Sequence, residues 1–146
     1  MIARRLDNID VICTALEPMR QFYGDVLGLP LRLPYAPGQG WVGFLAGDVV
    51  IYLIEEDADS LPPHPPPRFT GTRNPPGFDS FAFEVDDLDD AITQLDGRGI
   101  AWAGEIVTSE WYRYRGLHDP EGNLVYLTEP LLDRSDPPVP VPRPPA

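Results

Sequence analysis

The stretch His118-Asp119-Pro120-Glu121-Gly122-Asn123-Leu124-Val125-Tyr126-Leu127 decides how the chain folds. Proline presets φ, and glycine or asparagine accepts positive φ, so Asp119–Asn123 reads as a tight turn. The apolar run Leu124–Leu127 reads as a strand launched from that turn. Working upstream, Phe78–Val85 alternates as a strand, and Asp87 is placed to cap a helix that begins at Leu88, with Asp89 and Asp90 in its first turn. Leu88, Ala91, Ile92 and Leu95 form its apolar stripe, and Gly97 or Gly99 ends it. Ile100–Ala103 and Val107–Arg115 are predicted strands before the final one, Leu124–Thr128. The order is strand, helix, three strands.

The same order occurs earlier in the chain. Residues 5–13 alternate as a strand, and Thr14–Leu27 reads as a helix with Pro18 tolerated near its first turn. Leu16, Met19, Phe22, Tyr23, Val26 and Leu27 give its stripe, and Gly28 stops it. Leu31–Leu33, Trp41–Leu45 and Val49–Ile54 are predicted strands, the last two joined by the Ala46-Gly47-Asp48 turn. The halves superpose at a steady offset: Asn8 with Ser80 at 72 (80 − 8), Gly28 with Gly99 at 71 (99 − 28), Tyr52 with Tyr126 at 74 (126 − 52). Such self-similarity reads as one supersecondary unit used twice. The helix covers one face of each sheet, and the concavity on the other is a natural small-molecule cavity.

The predicted fold class is therefore α+β, two tandem βαβββ modules forming a curved mixed sheet around a cavity. Residues 1–129 make one domain, of modules 5–55 and 77–129 joined by a proline-rich loop at 56–76, and 130–146 form a proline-rich tail. A net charge of −12 and only 11 Lys and Arg disfavour a nucleic-acid partner and suit a cationic ligand. The single cysteine, Cys13, fits a reducing compartment and should be an inert core thiol facing the helix. Neither an apolar leader nor a run long enough to span a membrane is present, so a cytoplasmic protein is expected.

Four motifs in order resemble the vicinal oxygen chelate superfamily, the glyoxalase I, bleomycin-resistance and extradiol dioxygenase group. They are Leu6-Asp7-Asn8-Ile9, Phe22-Tyr23-Gly24-Asp25-Val26-Leu27-Gly28-Leu29, Phe81-Ala82-Phe83-Glu84-Val85-Asp86-Asp87-Leu88 and Asp119-Pro120-Glu121-Gly122-Asn123-Leu124. Members similar to this chain commonly dimerise, so a homodimer is expected. The resemblance implies an open-sided divalent metal that chelates two substrate oxygens, held from the first and last strand of each module. The corresponding positions here are Asn8, Tyr52, Ser80 and Tyr126. None is a histidine or carboxylate, and a phenol ionises only near pH 10, so no metal is expected.

Strand alternation directs Asp10 and Glu84 to the same face as Asn8 and Ser80, with His118 near the turn. His64, in the proline-rich loop, is expected to be exposed. Tyr52 and Tyr126 are expected to face one another across the cavity, with Trp41, Trp111 and Tyr114 among the flanking aromatics. Aromatic walls with hydroxyl tips suit a flat ligand. Two functions follow. The first is metal-independent binding and sequestration of an aromatic, cationic drug or metabolite, as in the bleomycin-resistance branch. The alternative is an enzyme of lyase, isomerase, cyclase or dioxygenase type, with Asp10 and Tyr126 as candidate acid–base residues or with a bound divalent metal. A carboxylate in an aromatic pocket, such as Asp10, is expected to have its pKa raised by desolvation toward that of a useful general base.

Overall fold

The computed structural model describes residues 6–60 and 80–131; His64, most of the proline-rich loop and the tail from 132 onward lie outside them. The first module contains β1 (Asn8–Cys13), α1 (Leu16–Arg20), β2 (Trp41–Ala46) and β3 (Val49–Glu55). The second contains β4 (Ser80–Glu84), α2 (Leu88–Leu95), β5 (Ala101–Trp102), β6 (Val107–Thr108), β7 (Tyr112–His118) and β8 (Leu124–Pro130). The first sheet runs β1-β3-β2 and the second β4-β8-β7-β5, each with its first strand parallel to its last and the rest antiparallel. Asp10 lies opposite Tyr52 in one sheet and Ala82 opposite Tyr126 in the other, so the register repeats as the sequence offsets predict.

Several elements differ from expectation for local reasons. Pro30 and Pro34 flank Leu31–Leu33, and proline contributes no ladder N–H. The predicted strand shrinks to one bridge, Leu31 to Phe44, flanked by Arg32 N–H donating to the Gly43 carbonyl and Leu45 N–H to the Pro30 carbonyl, both at 2.8 Å. The run at 107–115 is not one strand. Ser109 Oγ accepts from the Trp111 and Tyr112 amides, closing a turn that folds β6 back on β7. The first helix starts at Leu16, and from Gln21 to Val26 it widens to a π-helix. There Leu27 N–H reaches the Phe22 carbonyl, and the consecutive Phe22 and Tyr23 both enter the core.

The second helix follows expectation: Asp87 caps it by accepting from Asp90 N–H at 2.9 Å, and Leu88, Ile92 and Leu95 are buried. A repeated carboxylate also serves the helix starts. Glu55 accepts from Leu16 N–H at 2.7 Å, and Glu129 accepts from Leu88 N–H at 3.0 Å, each from the last strand of its own module. Anionic groups are favoured there because the first helical amides are unpaired and the dipole is positive. One core crosses both modules. Cys13, Leu16, Met19, Phe44 and Leu53 from the first join Leu88, Leu117, Val125 and Leu127 from the second. Tyr23 is fully buried between them, with ring centroids 6.3 Å from both Phe81 and Phe83.

Cys13 faces this core and is 1% exposed. Burial, with Glu121, Glu55 and Asp119 nearby, pushes its thiol up to about 11. An unfolded thiol ionises first, so the unfolded state loses its proton before the folded one. This contribution to stability is intact below the unfolded pKa and is lost as pH rises toward 11. Native protein at pH 8 is therefore expected to resist a thiol reagent such as dithionitrobenzoate, and to react with one equivalent on unfolding. Rapid native labelling would show that the helix does not cover Cys13.

Candidate functional site

The turn that opens β8 is built around Asp119, the one charged side chain fully buried among the described residues. Its Oδ1 accepts from the Glu121 and Asn123 amides, both at 2.9 Å. Its Oδ2 accepts from Asn123 Nδ2 and from the Tyr23 hydroxyl, both at 2.8 Å. Burial first, and then the Asp119 carboxylate, push the Tyr23 phenol far up, so it remains a donor. Glu121 then reaches the other module. Its carboxylate accepts from the Thr14 amide at 2.7 Å, the Ala15 amide at 2.9 Å and the Thr14 hydroxyl at 3.0 Å. The turn thus joins the module carrying β8 to the entrance of α1.

This join sets β1 beside β4. They are the edge strands of separate sheets, with no ladder hydrogen bonds between them. A cleft of about 520 Å³ lies along that seam, lined by residues that include Asn8, Asp10, Ile12, Ser80 and Leu124. Asn8 Nδ2 donates to Asp10 Oδ1 at 2.8 Å. Asp10 is exposed. Glu84 does not share this cleft. It lines two others, one beside the β2–β3 hairpin and one beside α2, although strand alternation keeps it on the face of Ser80.

Each of the two tyrosines leans over a glycine of its outer neighbouring strand. Tyr52 lies across Gly43 of β2: a Cβ on Gly43 would sit 2.8 Å from its Cε1. Tyr126 lies across Gly116 of β7 in the same way, at 3.1 Å. Because β3 separates β1 from β2 and β8 separates β4 from β7, both rings fold away from the seam. Each then meets an aromatic edge-on, Tyr52 with Trp41 at 6.2 Å and Tyr126 with Tyr114 at 5.6 Å. Gly43 and Gly116 went unremarked in the sequence, although an interior strand glycine is itself a signal of close approach.

The other candidates are scattered. His118 ends β7 beside Ala101 and Leu124, with its Nδ1 buried and unpartnered among the described residues. Trp111 sits in the β6–β7 turn and is 53% exposed, outside the cleft, because the Ser109 turn carries it past the sheet. No three His, Cys, Asp or Glu side chains converge as a metal would need among the described residues. The implied metal positions hold an amide, a hydroxyl and two phenols, a donor set that does not fit a divalent metal.

Known proteins resemble this chain in sequence and in fold. The chain is 29% identical over 131 residues to the uncharacterized protein YaeR of Escherichia coli K12, covering 86% of this chain and 96% of that one. It superposes on a glyoxalase/dioxygenase from Nostoc punctiforme with a TM-score of 0.68 and 26% identity, covering 87% of this chain and 91% of that one. With TnmS3, an antibiotic binding protein from Streptomyces sp. CB03234, the TM-score is 0.64 at 24% identity, covering 89% and 98%. No helix among the described residues is long and apolar enough to cross a membrane. The repeated modules, the open seam and a family match over residues 5–127 agree, and the chain belongs to the Glyoxalase/Bleomycin resistance protein/Dioxygenase superfamily.

Proposed function

We propose that this protein binds a flat aromatic small molecule in the cleft between its sheets, sequesters it and needs no metal to do so. One observation carries the reading. At both symmetry-related positions a tyrosine folds away from the seam and pairs edge-on with another aromatic, leaving Asn8, Asp10 and Ser80 on an open floor. Aromatic flanks supply stacking, and amide and hydroxyl groups supply orientation. The net charge of −12, with Asp10 in the cleft, favours a cationic ligand. TnmS3 is an antibiotic binding protein, in keeping with this reading, although at 24% identity that likeness shows the fold alone.

A thermal-shift screen of cationic aromatic antibiotics and dyes tests the proposal. The expected result is a rise in Tm of several degrees that EDTA does not alter. Stabilisation by zinc, nickel or manganese with no response to any aromatic compound would sink it. Asp10→Asn is expected to weaken a cationic ligand by about 0.5–1 kcal/mol, the scale of an exposed ion pair, and to leave a neutral analogue unaffected. A product formed by the wild type and lost in Asp10→Asn would replace sequestration with catalysis.

A further inference from the structure

Gly43 and Gly116 are buried in strand interiors, and neither has a positive φ. Backbone conformation therefore does not call for glycine at either site, and alanine would suit a strand better. Space does call for it. The ring of Tyr52 occupies the volume a Gly43 side chain would fill, with Cε1 at 2.8 Å and Cδ1 at 3.1 Å. At Gly116 the added carbon would meet Tyr126 Cε1 at 3.1 Å, with Ala103 and Leu124 both at 3.3 Å. Each glycine lies directly opposite its tyrosine in register, Gly43 to Tyr52 and Gly116 to Tyr126. Two residues before each comes the aromatic that meets the ring edge-on, Trp41 or Tyr114. The same three-part device thus occurs once per module.

We propose that Gly43 and Gly116 are positioning residues that set the width of the ligand cleft. By giving the two tyrosine rings a place to lie on the outer strands, they keep both phenols away from the seam. What remains is one broad floor with an aromatic platform at each side, suited to a ligand whose planar surface spans both, such as fused or linked ring systems. A β-carbon at either glycine lifts the ring toward β1 or β4 and narrows the floor. Specificity for broad ligands then resides in residues that touch no ligand. This inference rests on the binding reading above for its ligand, but the ring placement stands apart from it.

The test joins a ligand-free and a ligand-bound measurement on the full chain. By NMR, the Gly43 and Gly116 α-protons are expected to show ring-current shifts that vanish in Tyr52→Leu and Tyr126→Leu respectively. In Gly43→Ala the Tyr52 ring contacts are expected to move to Asn8 and Asp10. Proflavine, a cationic tricyclic dye, is the binding probe. Gly43→Ala is expected to weaken it at least tenfold and Gly116→Ala somewhat less, while Gly43→Ala changes affinity less than twofold in a Tyr52→Leu background. Rings that stay in place in the glycine variants, or a loss that persists without the tyrosine, overturn the proposal. Should Gly43→Ala fail to fold, absence of the ring-current shifts in the wild type overturns it equally. Failure of proflavine and all other aromatic probes to bind the wild type, with the NMR shifts present, removes the binding reading and its ligand but leaves the glycine–tyrosine device standing.

Discussion

Asp119→Ala is expected to destabilise the protein by about 3–5 kcal/mol and to lower its Tm by roughly 10–20 °C. Asp119 is 4% exposed and its two oxygens accept four hydrogen bonds. Removing the carboxylate leaves the amides of Glu121 and Asn123 and the buried Tyr23 hydroxyl without their acceptor. Each buried donor left unpaired costs about 1–3 kcal/mol, more than the bond itself contributes. Asp119→Asn preserves one acceptor for the two amides and is expected to lose only about 1–2 kcal/mol. Urea unfolding of both variants reads this directly. A loss under about 1 kcal/mol for the alanine variant would mean that water replaces the carboxylate and the turn is not anchored by it.

Tyr23→Ala comes next in size, about 3–5 kcal/mol, the usual cost of removing a large buried ring. Its ring meets Phe22 edge-on at 5.0 Å, lies beside Phe81 and Phe83, and carries its hydroxyl to Asp119. Tyr23→Phe separates the two roles. It keeps the ring and is expected to cost about 1–2 kcal/mol. Combined with Asp119→Ala it should cost almost nothing more, since the hydroxyl then has no partner to lose. Full additivity between Tyr23→Phe and Asp119→Ala would deny the hydrogen bond any part in joining the modules.

Much of this architecture was legible because its signals are local. The Asp119–Asn123 turn, the Asp87 cap and the stop at Gly28, where φ is +78°, are each set by residues within one turn of the chain. The repeat was legible too, because equal offsets in sequence become equal registers in the sheets, Asp10 to Tyr52 and Ala82 to Tyr126. The site was legible in part. Alternation gives the face a side chain occupies, but not the direction its ring takes after leaving the strand. Tyr52 and Tyr126 were placed on the right strands and aimed inward. The space above Gly43 and Gly116 lets them lean sideways, away from the seam, and that space depends on register between strands. The separation of Asp10 from Glu84 escaped for a related reason. Alternation says nothing about how two sheets meet along a seam. Glu121 gave no periodic signal at all, because its partners Thr14 and Ala15 lie far away in sequence.

That last contact bears on how the chain is made. The amides of Thr14 and Ala15 receive their carboxylate from a residue 107 and 106 positions downstream. A ribosome adds roughly 5–20 residues per second, so the interval is roughly 5–20 s. Throughout it the first module lacks the carboxylate that completes the approach to its helix. Only a chain that extends past residue 121 supplies that carboxylate, so the first module finishes its helix entrance with a group borrowed from the second.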